Sequence, residues 1–189
     1  MVEFDDKPVL LLIDLQKGFL EEEYWGGSRN NPDMEKNILR LLEYWRKKSW
    51  PIIHFKHDSA KNDSPLNPGN SGNEWMDEFK PNPGEIFFTK YVNSAFIGTG
   101  LKDWLLRHDI NTLVIVGLTT NHCISTTARM AENLEFKTYV VSDATAAFNR
   151  KGADGTVYPA RLVHEISLAN LNEEFATIVD TASLIETDV

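Results

Sequence analysis

The apolar positions of this chain fall into two kinds of pattern. Val9-Leu10-Leu11-Leu12-Ile13 and Leu113-Val114-Ile115-Val116 are apolar at every position and rich in branched side chains. Each predicts a strand buried on both faces of a parallel sheet. Shorter runs at Pro51 to Phe55, Ile86 to Phe88, Thr138 to Val141 and Thr177 to Val179 predict four more strands. Between them, apolar residues recur at helical spacing: Ile38, Leu41, Leu42 and Trp45, then Leu101, Trp104 and Leu105, then Ile124, Ala128, Ala131 and Leu134, and last Leu162, Ile166 and Ala169. Asn31-Pro32-Asp33 reads as an N-cap with Pro at the first helical position, and Lys47 and Lys48 close that helix favourably for its dipole.

Strands alternating with helices predict a doubly wound, Rossmann-like α/β fold, a three-layer sandwich with a central, mostly parallel six-stranded sheet, in one domain spanning residues 1–189. In the common strand order 3-2-1-4-5-6, the first and fourth strands are neighbours, and ligands bind in the crevice at their C-terminal ends. Asp14 ends the first strand, Cys123 follows the fourth, and Lys90 lies just past the third. The predicted topology therefore gathers an acid, a base and a thiol on one rim. Residues 57 to 84 have no periodicity and are crowded with Asn, Asp, Ser, Pro and Gly. A loop this long is expected to be functional, as a lid or as a subunit contact.

Composition narrows the setting. Among 189 residues, 28 are acidic and 19 basic, a net charge of -9 with no basic cluster, so nucleic acid is not an expected partner. The acidic N-terminus carries an apolar run too short for a signal peptide or a membrane span. One cysteine leaves no intramolecular disulfide and argues for a reducing compartment. A cytoplasmic protein, without a membrane partner, is expected.

The candidate chemistry centres on the junction where the apolar run stops at Gly117 and a small-residue helix is predicted from about Asn121. Cys123 would lie in its first turn, where free N–H groups and the helix dipole favour a thiolate. The plain alternative is a small buried hydrophobe, the usual state of a free cysteine. Likewise an acid ending a strand is often a cap, and a lysine after one is often solvated. Convergence of all three on one crevice favours a nucleophile. Gln16, Phe19, Asn93, Phe96 and Trp75 are candidate pocket residues. His54 and His57, three apart at a strand end and followed by Asp58, are read as hydrogen-bonded or solvated imidazoles, so neither a metal nor any other cofactor is expected. His122 is read as structural, because adjacent residues on a helix do not face one another.

Four segments, LLLIDLQKGF, KYVNSAFIGTGL, VGLTTNHCISTTARMA and VVSDATAAF, resemble those of the isochorismatase-like cysteine hydrolases, a superfamily that includes nicotinamidases and other small-amide hydrolases. The resemblance runs from about Pro8 to Leu184. It implies a catalytic triad of Asp14, Lys90 and Cys123. It also implies a cis peptide between Leu118 and Thr119 that aims the N–H of Thr119, with that of Cys123, at an oxyanion. The implied activity is cleavage of a C–N bond in a small amide or ureido compound through a thioester, and the implied assembly is a homo-oligomer, dimer or tetramer. Where the family's nicotinamidases carry an Asp-x-His metal motif, this chain reads HFKHDS, which lowers nicotinamide as a substrate. Three alternatives stand beside this reading. Vinyl ether hydrolysis occurs on the same scaffold in members without the cysteine, and a non-catalytic binding domain could retain the scaffold. Thiol redox chemistry lacks a second cysteine in the chain.

Overall fold

The computed structural model describes residues 2–4 and 6–185. Its strands are β1 (Val9–Ile13), β2 (Ile52–His57), β3 (Ile86–Lys90), β4 (Thr112–Leu118), β5 (Lys137–Ala146), the short pair β6 (Arg150–Lys151) and β7 (Val157–Tyr158), and β8 (Thr177–Val179). Six of them form one sheet in the order β3-β2-β1-β4-β5-β8, every neighbouring pair parallel, while β6 and β7 pair antiparallel on their own. This is the doubly wound order, with β1 and β4 side by side at its centre.

The helices lie on both faces. After a short α1 (Glu22–Trp25), α2 (Met34–Lys48) covers one face, where Ile38, Leu41, Leu42 and Trp45 pack against Leu10, Leu12, Val114 and Val116. On the other face, α3 (Leu101–Arg107), α4 (Ser125–Asn133) and α5 (Ala160–Ala169) bring Leu105, Ala128 and Leu168 to Leu11, Ile13 and Ile115. Alternate residues of one apolar run thus feed two different core layers, which is why the run has no polar position.

Several elements differ from the sequence expectation. Strands β2 and β3 run two residues past their apolar stretches, pairing Lys56 with Thr89 and His57 with Lys90. Lys90 is therefore the last residue of β3 and does not lie past its end. Ladder hydrogen bonds belong to the backbone, so pairing continues where hydrophobicity stops. Helix α2 begins at Met34, and Asn31 does not cap it; its side-chain amide donates to the Ser142 and Thr145 carbonyls at 2.8 and 2.7 Å. Strand β5 extends to Ala146 through a break in register between the Ile115–Val140 and Gly117–Thr145 pairs. Within that break Asp143 accepts from both the backbone and the hydroxyl of Thr181, at 2.8 Å each. On α5 the buried side is Ala160, His164 and Leu168, and the expected apolar stripe faces outward, with Leu162 41% and Ile166 54% exposed. There a hydrogen bond outranks apolar periodicity: His164 Nδ1 lies 2.8 Å from the buried Thr120 hydroxyl.

Two devices fix the strands of the site, one at the carboxyl edge where the site forms and one at the opposite, amino edge. Gly117 has φ 115°, and a Cβ there would lie 2.1 Å from the Ile13 carbonyl oxygen, so only glycine lets β4 close on the end of β1. At the start of β3, Glu85 receives Arg46 from α2 at 2.7 and 3.0 Å and meets His54 of β2 at 2.9 Å. Burial opposes ionisation of Glu85, but Arg46 and the Asn82 N–H outweigh it and hold the carboxyl at about 2.

Gly117→Ala is expected to cost about 3 kcal/mol or more, or to abolish folding, because the clash is with backbone; urea unfolding measures it. Since the Glu85 carboxyl is depressed in the folded state, its contribution is complete above about pH 4.5 and is lost as pH falls towards about 2. Glu85→Gln should therefore flatten the stability loss between about pH 4.5 and about pH 3, read from unfolding midpoints across that range.

Candidate active site

Strand β4 runs out at Leu118, and a single π-helical turn, Thr120–Ile124, carries the chain into α4. Cys123 sits in that turn, two residues ahead of the α-helix proper, and the Leu118–Thr119 peptide is cis. Wide turns of this kind recur where a helix start has to present a side chain. Asp14 follows β1 directly with φ 55°, a left-handed conformation that Asp tolerates better than most residues. Its N–H donates to the Phe55 carbonyl at 2.9 Å, which seats it beside the end of β2.

Lys90 stands at the centre of the group. Its Nζ lies 2.8 Å from Asp14 Oδ2, 3.0 Å from His57 Nδ1, 3.2 Å from the Val92 carbonyl oxygen and 3.3 Å from Cys123 Sγ. Asp14 and Lys90 are fully buried, and Cys123 is 8% exposed. Asp14 Oδ1 finds no hydrogen-bond partner among the described residues. Burial pulls the Lys90 pKa down, but Asp14 and then Cys123 outweigh it and hold it above the ordinary lysine value. Burial, reinforced by the neighbouring Asp14, pushes the Cys123 thiol well above the usual thiol range, although Lys90 opposes this. Burial and Asp14 thus work against the thiolate that the helix start was expected to favour, and Lys90 works for it.

Asp14, His57 and Cys123 offer a carboxylate oxygen, a ring nitrogen and a sulfur within 4.8 Å of one another. Such a donor set resembles a metal site, but the Lys90 ammonium contacts all three groups and supplies their positive charge. The cluster is built around lysine, and a divalent ion there would face that charge at contact distance.

A cavity of about 270 Å³ opens onto Cys123 and Asp14. Phe19 and Asn93 line it, as the sequence predicts, while Gln16, Phe96 and Trp75 do not. Gln16 is fully buried beneath it, its amide donating to the His57 and Asn73 carbonyls at 3.0 and 2.9 Å and its Oε1 accepting from the His57 N–H at 2.8 Å. Phe96 stacks on Phe136, with centroids 5.8 Å apart, in the layer behind the site. Trp75 packs edge-on against His54. The sequence reading expected the 57–84 loop to be functional but did not name Ser59, Lys61 and Ser64, which its first residues bring to the wall. It also missed Tyr24 and Trp25, and Trp25 stacks on Phe19 with centroids 4.5 Å apart. His122 lines the cavity too, although its ring nitrogens lie 3.2 Å from the Thr119 hydroxyl and 3.2 Å from the Asn121 amide. His57, read from sequence as a bystander, touches Lys90. The signal was its position at the end of β2, which this strand order places between Asp14 and Lys90.

Comparison with known proteins supports the same conclusion from outside the site. Residues 8–183 match the isochorismatase domain. The chain is 48% identical over 181 residues to the uncharacterized isochorismatase family protein YrdC of Bacillus subtilis, covering 96% of each chain. It is 28% identical to Nicotinamidase 3 of Arabidopsis thaliana, over 93% of this chain and 85% of that one. Among solved structures, a putative hydrolase of the isochorismatase family from Chromobacterium violaceum superposes with a TM-score of 0.90 at 38% identity, covering 96% of this chain and 93% of that one. With a parallel sheet of this order, an Asp, Lys and Cys cluster at its carboxyl edge and a match over nearly its whole length, the chain belongs to the isochorismatase family of hydrolases.

Proposed function

We propose that the chain is a cysteine hydrolase that cleaves a C–N bond of a small amide or ureido compound through a thioester. The carrying observation is the contact of Lys90 with both Asp14 and Cys123 beneath a small cavity. The cavity volume of about 270 Å³ suits a small substrate. An amide-hydrolysing relative, the nicotinamidase, belongs to the same family. The whole chain is read as one hydrolase domain, cytoplasmic and homo-oligomeric as a dimer or tetramer, and the chemistry below needs no cofactor. Among the described residues no helix is long and apolar enough to cross a membrane.

In this reading Asp14 Oδ1 takes the Cys123 thiol proton as sulfur attacks the acyl carbon. Lys90 turns its charge to the forming thiolate as the Asp14 charge disappears. The carbonyl oxygen becomes an oxyanion held by the N–H groups of Thr119 and Cys123. Collapse breaks the C–N bond, and Asp14 returns its proton to the leaving nitrogen, which departs as ammonia or an amine. Water then gives a proton to Asp14 and attacks the thioester carbon. Expulsion of the sulfur releases the acid, and Asp14 restores the thiol.

Cys123→Ala should lose hydrolysis by at least about a thousandfold. Wild-type protein quenched during turnover of a hydrolysed amide should gain the acyl mass on the Cys123 peptide. Substantial turnover by Cys123→Ala would sink the scheme.

Alkylation of Cys123 by iodoacetamide separates the two charged partners. Asp14 raises the thiol pKa and Lys90 lowers it. At a fixed mildly alkaline pH, Asp14→Asn should therefore label several-fold faster than wild type while losing hydrolysis, and Lys90→Met should label more slowly and also lose hydrolysis. Intact-mass time courses read the labelling, and slower labelling in Asp14→Asn would refute the assigned charge roles.

A further inference from the structure

His57 is the member of the cluster to which neither the mechanism nor the family comparison gives a task. Its Nδ1 lies 3.0 Å from Lys90 Nζ. An ammonium only donates, so a hydrogen bond at this distance needs an unprotonated Nδ1, and a neutral ring then carries its proton on Nε2. The surroundings favour that form: burial first, and the Lys90 charge second, hold the ring below the ordinary histidine value. Its position is not free to drift, because Gln16 grips both the N–H and the carbonyl of the His57 peptide, at 2.8 and 3.0 Å. His57 lines the cavity, and no hydrogen-bond partner for Nε2 is present among the described residues.

The consequence for Lys90 follows from counting its protons. The ammonium has three N–H bonds and four neighbours. Two neutral acceptors, His57 Nδ1 and the Val92 carbonyl, therefore compete with Asp14 Oδ2 and Cys123 Sγ for three protons. His57, second nearest at 3.0 Å, fixes where the ammonium sits between the two groups of the proposed proton transfer.

We propose that His57 is both a positioning residue and a substrate-binding residue of this site: its Nδ1 holds the Lys90 ammonium, and its Nε2–H donates to an acceptor on the substrate. The first half stands on geometry alone. The second rests on the amide-hydrolase reading, and the experiments separate the two.

Nitrogen-15 NMR of uniformly labelled wild-type protein near neutral pH decides the tautomer without any substrate, the His57 signals being identified by their absence from His57→Asn. The expected result is a pyridine-like Nδ1 and a pyrrole-like Nε2; an Nδ1–H tautomer or an imidazolium overturns the contact with Lys90. On an amide that the wild type hydrolyses, His57→Asn keeps an acceptor near Lys90 but removes the Nε2 donor. It is expected to raise KM about tenfold and to leave kcat within about threefold. His57→Phe removes both functions and is expected to lower kcat about tenfold or more as well. An unchanged KM in His57→Asn overturns substrate binding, and an unchanged kcat in His57→Phe overturns positioning. Should no amide be hydrolysed and no acyl mass appear on Cys123, the amide-hydrolase reading and the substrate-binding role fall together, while the NMR result still decides the contact with Lys90.

Discussion

The site depends on a buried ion pair that has to be assembled across a strand. Asp14 ends β1, Lys90 ends β3, and β2 lies between them in the sheet. Taking two charges wholly out of water costs on the order of several kcal/mol per ion, and a buried pair is often no more stabilising than apolar residues of the same volume. The pair is therefore poor evidence of a stability device and better evidence of a retained function. Its tolerance comes from the neighbours that β2 and the segment after β3 supply: a lysine reaching Asp14 must pass the end of β2, where it meets His57, and the turn beyond β3 offers the Val92 carbonyl. Register makes this possible, because His57 is paired with Lys90 in the ladder and Ile13 with Phe55 two residues earlier on β2.

The same constraint explains the other side of the site. Cys123 reaches the pair only if β4 closes tightly on the end of β1, and there Gly117 passes the Ile13 carbonyl at a distance no side chain allows. The π-helical turn then sets the sulfur back towards the sheet edge. Glu85 ties α2 and β2 to the start of β3, at the opposite edge of the sheet from Lys90. Core packing alone sets layers and spacing. It does not set the last half-ångström of a side chain.

Much of the fold was legible in the sequence because strands buried on both faces leave an unmistakable signature. Val9 to Ile13 and Leu113 to Val116 admit no polar residue, and the alternation of strands and helices leads directly to the observed order. Hydrophobicity failed where another force governed. The ends of β2 and β3 are set by backbone pairing, the face of α5 by the bond between His164 and Thr120, and the path before α2 by Asn31 holding two carbonyls of β5. The convergence of Asp14, Lys90 and Cys123 could be read because strand order alone places the three chain positions on one rim. The pocket walls could not, since Phe96 and Trp75 look like any aromatic lining in a sequence, and Ser59, Lys61 and Ser64 enter through a loop whose course follows local hydrogen bonds, not periodicity.

The electrostatics of the cluster also argue for a particular division of labour. Burial and Asp14 raise the Cys123 pKa and Lys90 lowers it, so the two charged neighbours act on the sulfur in opposite directions. In the proposed reaction the first event is proton transfer from Cys123, and the acceptor is the Asp14 carboxylate. As the proton moves, the negative charge leaves Asp14 and appears on sulfur, so the total charge around Lys90 is unchanged, and the ammonium need only redirect one N–H bond over about half an ångström of distance difference. A site of this kind avoids large reorganisation because its charges are already paired. On the proposed reading, chemistry is lodged in the sheet ends, where backbone register fixes the Asp14, Lys90 and Cys123 cluster, and selectivity in the aromatic and 57–84 loop walls, where sequence can change without disturbing the pair.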